Sequence, residues 1–277
     1  MKLRHAIPAL LLLSGSAAFS LTPHAAQSTL TISTEQELEA DLKAVPCKED
    51  LRLASVKSLF LKMGATEDEI TTENFKGVEN LIIRKQGQSD ERIVIGAHYD
   101  KATNGCGAID NWTGIVTIAH LYRTLKRLVL KKSLLFVAFG KEELGLIGSH
   151  AMVSAIPKEE LDKYCAMVNI DSLGLGAPQV ADNMATDKIK KLAVETASRM
   201  NMELGHSLVY GDSDSSSFAA RKIPACTIHG LTNEYHSLLH TSRDTANKIN
   251  PKSVYLGYRF ALLMIASISN ERCDAFR

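Results

Sequence analysis

The chain has 277 residues, a formal net charge of +1, 45% hydrophobic residues and 23% charged ones. These are ordinary globular values, enough for one sizeable core and at most two domains. The balanced charge excludes the basic or acidic excess expected of a nucleic-acid binder or of a partner for strongly charged surfaces.

The chain opens with a basic start at Lys2, Arg4 and His5, a short apolar run from Ala6 to Leu13, and small residues around Ser14 to Ala18. That order predicts a secretory signal peptide over residues 1–26, with cleavage between Ala18 and Ala26 and a mature chain from near Gln27. The run falls short of the ~20 apolar residues needed to span a bilayer. A buried N-terminal helix is the alternative. Export would permit disulfides among Cys47, Cys106, Cys165, Cys226 and Cys273. The odd count leaves one thiol free or paired between chains. A staple between Cys47 and Cys273, near the two termini, is one candidate pairing.

Residues 27–79 read as an N-terminal helical segment before a catalytic core at 80–277. A helix is predicted from about Thr34. A second runs from Glu49 to Met63, with Leu51, Leu53, Val56, Leu59, Phe60 and Met63 at helical spacing and Gly64 as its stop. Asn80 to Ile83 and Arg92 to Ala97 read as strands. Gly114 to Leu130 returns to a helical period. Ser133 to Phe139 and Ala166 to Ile170 are apolar runs of strand length, suited to strands covered on both faces. Asp187 to Met200 is helical, Ile223 to Ile228 a late strand, and Pro251 to Ile268 an apolar helix opened by proline. That last helix carries Arg259, and packing over a sheet suits it better than a membrane. The alternation predicts one α/β domain: a three-layer α/β/α sandwich with a mixed, mostly parallel central sheet. Such folds place sites beyond the carboxyl ends of the strands, where His98, Glu143 and Asp171 fall.

Five metal-type side chains each sit in a distinctive local sequence. They are His98 in His98-Tyr99-Asp100, Asp110 in Gly107-Ala108-Ile109-Asp110-Asn111, Glu143 after Glu142, Asp171 in Asn169-Ile170-Asp171, and His240 in His240-Thr241-Ser242-Arg243-Asp244-Thr245. Two imidazoles and three carboxylates suit a pair of zinc ions and offset most of their charge. Asp110, in a glycine-containing loop before a helix, suits a bridge between the ions. Asp100 can orient the His98 ring. Neighbouring side chains point in different directions, so Glu143 can bind metal while Glu142 faces water as general base and acid.

Together with Phe139-x-x-Glu142-Glu143-x-Gly145-Leu146-x-Gly148-Ser149, these motifs resemble the M28 family of co-catalytic zinc metallopeptidases. The resemblance runs from about Asn80 to the last helix. It implies two Zn2+ per chain: His98 and Asp171 on one, Glu143 and His240 on the other, and Asp110 between them. It implies Glu142 as the catalytic group and a cis peptide at Asp110-Asn111. His240 fits the pattern of a histidine followed four residues later by Asp-Thr; His236 does not. Many relatives carry Tyr directly before that histidine, where this chain has Leu239, so Tyr235 and His236 become the candidates for an oxyanion or substrate contact. Ser215 and Lys222 stand where the family's usual residues are His and Gly. Trp112 is a candidate wall of the substrate pocket, with core packing as the alternative. His5, His24, His120, His150, His206 and His229 have no motif around them.

The resemblance implies an aminopeptidase whose substrate is a peptide with a free N-terminus, and the signal peptide adds export, to a secreted or periplasmic location. No nucleic acid, and no membrane after signal cleavage, is expected. Carboxypeptidases and dipeptidases share this core. A single-zinc glutaminyl cyclase-like transferase and an inactive peptide-binding domain of the same fold are the alternatives.

Overall fold

The computed structural model describes residues 30–75 and 77–277; the expected signal peptide lies outside them. Seven strands form one sheet in the order β1-β2-β4-β3-β5-β7-β6. The strands are β1 (Ile70–Phe75), β2 (Val78–Lys85), β3 (Arg92–His98), β4 (Ser133–Phe139), β5 (Tyr164–Ile170), β6 (Gln179–Val180) and β7 (Ala225–His229). The four central strands run parallel, with β3 between β4 and β5 and β7 beyond β5. The outer pairings are antiparallel. The sheet is mixed and mostly parallel, as expected.

Both faces are covered, which is why the central strands read as unbroken apolar runs. Ile93, Ile95, Phe136, Ala138, Ala166 and Val168 belong to the larger core. It lies beneath α1 (Glu35–Leu42), α2 (Glu49–Lys62), α3 (Thr113–Leu125), α5 (Asp187–Arg199) and α7 (Pro251–Asn270). Val94, Leu135, Val137, Phe139 and Met167 point the other way, into a smaller core closed by α4 (Ile147–Ser154) and α6 (Asp214–Ala220). Two-residue alternation divides one strand between the two cores.

The helix ends follow local chemistry. Thr34 caps α1 by accepting from the Glu37 N–H, and the Glu37 carboxylate accepts from the Thr34 N–H in return. Asn250 caps α7, with Pro251 at its first position. Gly64, at φ +92°, takes the left-handed turn that ends α2.

The segment 27–79 is not only helical: it also supplies edge strand β1. The Cys47–Cys273 staple is overturned, because Cys47 pairs with Cys106 and Cys273 with Cys165. Proximity to the termini in sequence does not bring the two residues together. Cys47 meets the loop before α3, while Cys273 lies under the start of β5 at the opposite end of the sheet. Cys226 is the free thiol, and burial pushes it up to about 12. Among the described residues no helix is long and apolar enough to cross a membrane.

Candidate active site

Every sequence-selected residue of the five-member set reaches one cluster at the carboxyl ends of the parallel strands. His98 is the last residue of β3, Glu142 and Glu143 turn off β4, and Asp171 follows β5. Asp110 comes from the loop before α3, and His240 from the loop before α7. Ligand-type atoms of His98, Asp110 and Asp171 lie within 4.8 Å of one another, as do those of Asp110, Glu143 and His240. Asp110 belongs to both groups. His98 Nε2 is 3.0 Å from Asp110 Oδ1 and 3.5 Å from Asp171 Oδ1. His240 Nε2 is 3.0 Å from Asp110 Oδ2 and 3.1 Å from Glu143 Oε2.

The donor set fits cations. His98 Nε2 and Glu143 Oε1 are buried and make no hydrogen bond, although oxygen atoms stand close to the histidine nitrogen. A bare buried donor or acceptor is costly, and a metal ion would satisfy both. The charge balance points the same way. Burial, and then the charges of Asp171, Asp214 and Asp110, push Glu142 well above the usual carboxylate range against the pull of the His98 imidazole. Hydrogen bonds to Asp110 and Glu143 hold His240 protonated up to about 10. Burial works against ionised Asp110, yet the neighbouring imidazoles of His240 and His98 keep it well below that range. The cluster holds more negative charge than its own histidines neutralise.

The surrounding residues orient the five. The Asp100 carboxylate lies 3.6 Å from His98 Nδ1 and accepts the backbone N–H groups of Glu142 at 3.0 Å and Glu143 at 3.2 Å. It aligns the glutamate turn, while the nearer partner of His98 Nδ1 is the Asp100 backbone carbonyl at 3.2 Å. Ser213 Oγ donates to Asp171 Oδ2 at 2.6 Å. Asp244 accepts the N–H groups of Ala108, Ile109 and Asp110 at 3.0, 2.7 and 3.2 Å, gathering the loop that carries Asp110. The motif His240-x-x-x-Asp244 contains that residue, but nothing in its spacing reveals that it holds a loop more than 130 residues earlier. The Asp110–Asn111 peptide is cis, as the family resemblance implies.

A cavity of about 870 Å³ opens over the cluster and is lined by Glu142, Tyr235, His236, Leu239 and His240, among others. The Tyr235 hydroxyl accepts from the Tyr210 N–H, and the His236 ring lies 3.8 Å from that of Tyr235. His236 stands at the cavity wall, whereas His240 reaches Asp110 and Glu143. His150 and His229, which carry no sequence motif, also line the cavity. Burial drops His229 to about 4, so its ring is neutral. Trp112 is no pocket wall: it is buried and donates to the Asp41 carbonyl at 3.0 Å. Ser215 lies behind the cavity, bonded to Thr227 Oγ1 and the Met184 carbonyl.

The sheet order and this cluster define a three-layer α/β protein with a paired acidic–imidazole site. More particularly, the chain belongs to peptidase family M28, whose model matches residues 80–262. Aminopeptidase YwaD of Bacillus subtilis (strain 168) is 32% identical over 122 residues, 44% of this chain and 26% of that protein. The chain thus spans about a quarter of that relative's length. The structure of BSAP, a zinc aminopeptidase from Bacillus subtilis, superposes with a TM-score of 0.64 at 23% identity, covering 70% of this chain and 50% of that one. An Acidobacteriales bacterium glutaminyl cyclase superposes at 0.73 and 21% identity, covering 90% and 99%. At these identities the two structures speak for the fold alone.

Proposed function

We propose that this chain is an exported zinc-dependent aminopeptidase, secreted or periplasmic, acting on peptides with a free N-terminus. The observation that carries the reading is the pair of ligand groups sharing Asp110, with Glu142 in the same cavity. His98 and Asp171 would hold one Zn2+, Glu143 and His240 the second, and Asp110 both. Bound there, the ions supply Lewis-acid polarisation of the scissile carbonyl and acidify the attacking water.

The chain's own residues do the rest. Glu142 takes the water's proton and delivers it to the leaving amine. Asp100 keeps Glu142 in place through the backbone N–H it accepts. Asp212, on the cavity wall, attracts the substrate's α-ammonium group. The Tyr235 phenol and the His236 ring are within the cavity to contact the substrate or the developing oxyanion.

The test is zinc content of the purified chain alongside cleavage of matched peptides with free and N-acetylated ends, including one beginning with glutamine. Two zincs and cleavage of free ends alone would support the aminopeptidase. One zinc with cyclisation of the glutamine peptide would replace it with a cyclase, and binding without turnover with a peptide-binding domain.

A further inference from the structure

One buried side chain joins the turn after His98 to the loop that carries Asp110, and it comes from outside the residues matched by the family model. Arg52 lies on α2 and is fully buried. Its Nε donates to the Tyr99 carbonyl. Nη1 donates to the carbonyls of Pro46 at 3.2 Å and Cys106 at 2.9 Å, and Nη2 to that of Gly107 at 3.2 Å. Tyr99 directly follows His98, and Gly107 lies three residues before Asp110. The guanidinium also stands 5.7 Å from the centre of the Trp112 ring, just past Asp110. A planar fork of five N–H donors is the one side chain able to hold four carbonyls from three chain segments at once.

The same stretch is tied covalently. Cys47, five residues before Arg52, is bonded to Cys106. Cys47 is exposed and Cys106 half-buried, so a small reductant can reach this bridge. Cys165 and Cys273, by contrast, are buried. Residues 46–52 thus grip the loop before Asp110 by one covalent bond and several hydrogen bonds.

We propose that Arg52 and the Cys47–Cys106 bridge form a brace that positions the turn after His98 and the Asp110 loop for metal, so that opening the bridge loosens the chain's hold on its ions. The proposal rests on the reading of the cluster as a zinc centre. Asp110 is the ligand common to both groups, so freedom in its loop weakens both. Without the bridge, residues 101–107 gain conformational entropy that must be lost again on metal binding. Without Arg52, the carbonyls of Pro46, Tyr99 and Cys106 lose its N–H groups, and that of Gly107 keeps the Trp112 N–H. Opening the bridge with a water-soluble phosphine transfers two electrons to the disulfide. Cys47 and Cys106 take up two protons as thiols, and the phosphine leaves as its oxide with oxygen from water.

The full chain is reduced with the phosphine, alkylated and desalted, then titrated with zinc against a chromophoric chelator. Cys226 escapes alkylation because it is buried with its thiol held protonated. Reduction, the Cys47→Ser/Cys106→Ser variant and Arg52→Met are each expected to weaken zinc binding by on the order of 10- to 100-fold, as loss of a group supporting a ligand does. Arg52→Lys, which keeps the charge but not the fork, should recover part of the loss. Cys165→Ser/Cys273→Ser should bind zinc like the wild type. Unchanged zinc affinity in the reduced chain and in the Cys47→Ser/Cys106→Ser variant overturns the brace, and those two arms decide even if Arg52→Met does not fold. Amide exchange of residues 101–108 in zinc-free protein separates the two readings. Absence of zinc binding by the wild type refutes the metal centre, whereas exchange that does not quicken when the bridge is opened refutes the brace.

Discussion

The two halves of the cluster are built to different standards. His98 ends a central strand, its side chain is 1% exposed, and Asp100, Asp110 and Asp171 surround its ring. His240 comes from a loop, its side chain is 59% exposed, and its backbone sits at φ +58°, in the left-handed region. Such a conformation costs a non-glycine residue roughly 1–2 kcal/mol and persists only where surroundings enforce it. Here Arg243 donates to the Ser237 carbonyl and Asp244 ties the loop back to residues 108–110. The contrast teaches a division of labour. The strand-mounted half is buried among carboxylates, and the loop-mounted half lies exposed beside the cavity.

The largest expected effect separates chemistry from both halves. Glu142 belongs to neither ligand group, so Glu142→Ala should lower hydrolysis by on the order of 10²-fold or more while zinc content stays at the wild-type value. Wild-type turnover in that variant would end its assignment as the base. Next comes the contrast itself. His240→Ala should cost one zinc per chain and leave the His98 half loaded, and His236→Ala should cost none. Metal analysis of the two dialysed proteins checks this, and the opposite order would exchange the roles of the two histidines.

A third prediction probes the buried side through pH. His229 ends β7 on the cavity wall, and burial lowers it from 6.5 to about 4. Between those values the unfolded chain binds a proton that the native chain excludes, so stability rises with pH. Relative to His229→Gln, the zinc-free wild type should therefore lose up to about 3 kcal/mol as pH falls from 6.5 towards 4, with no further relative loss below. Urea midpoints at several pH values would show it, and parallel curves for the two proteins would refute it. The smallest effect is a control away from the site. Lys222 sits at φ +61° just after α6. Lys222→Gly should raise stability by about 1 kcal/mol and leave turnover unchanged. A lower unfolding midpoint would show that some contact of Lys222 outweighs its backbone cost.

Legibility along the chain followed burial. Strand β4 matches its expected bounds of Ser133 to Phe139, because a strand covered on both faces writes a continuous apolar run. Helix α2 matches to within a residue, because its apolar spacing ends at a glycine. Strand β1, with the sequence ITTENF, escaped notice because it is a half-exposed edge with little to bury. Helices α4 and α6, of eight and seven residues, are too short for a period to register.

The candidate site residues were all readable in the sequence. Two imidazoles, three carboxylates and a sixth acidic group each lie within a short motif, because turns at strand ends are local and need their own glycines and polar residues nearby. The sequence also determined the strands that carry them, since apolar runs report burial directly. The pairing of the cysteines, and the hold of Arg52 and Asp244 on their loops, emerge only in the folded chain. The bonds of Arg52 to Tyr99, Cys106 and Gly107, and of Asp244 to residues 108–110, join residues 47 to 136 positions apart through backbone carbonyls and N–H groups. Every residue carries such groups, so the partner's position leaves no trace in the sequence, and only the folded chain selects it.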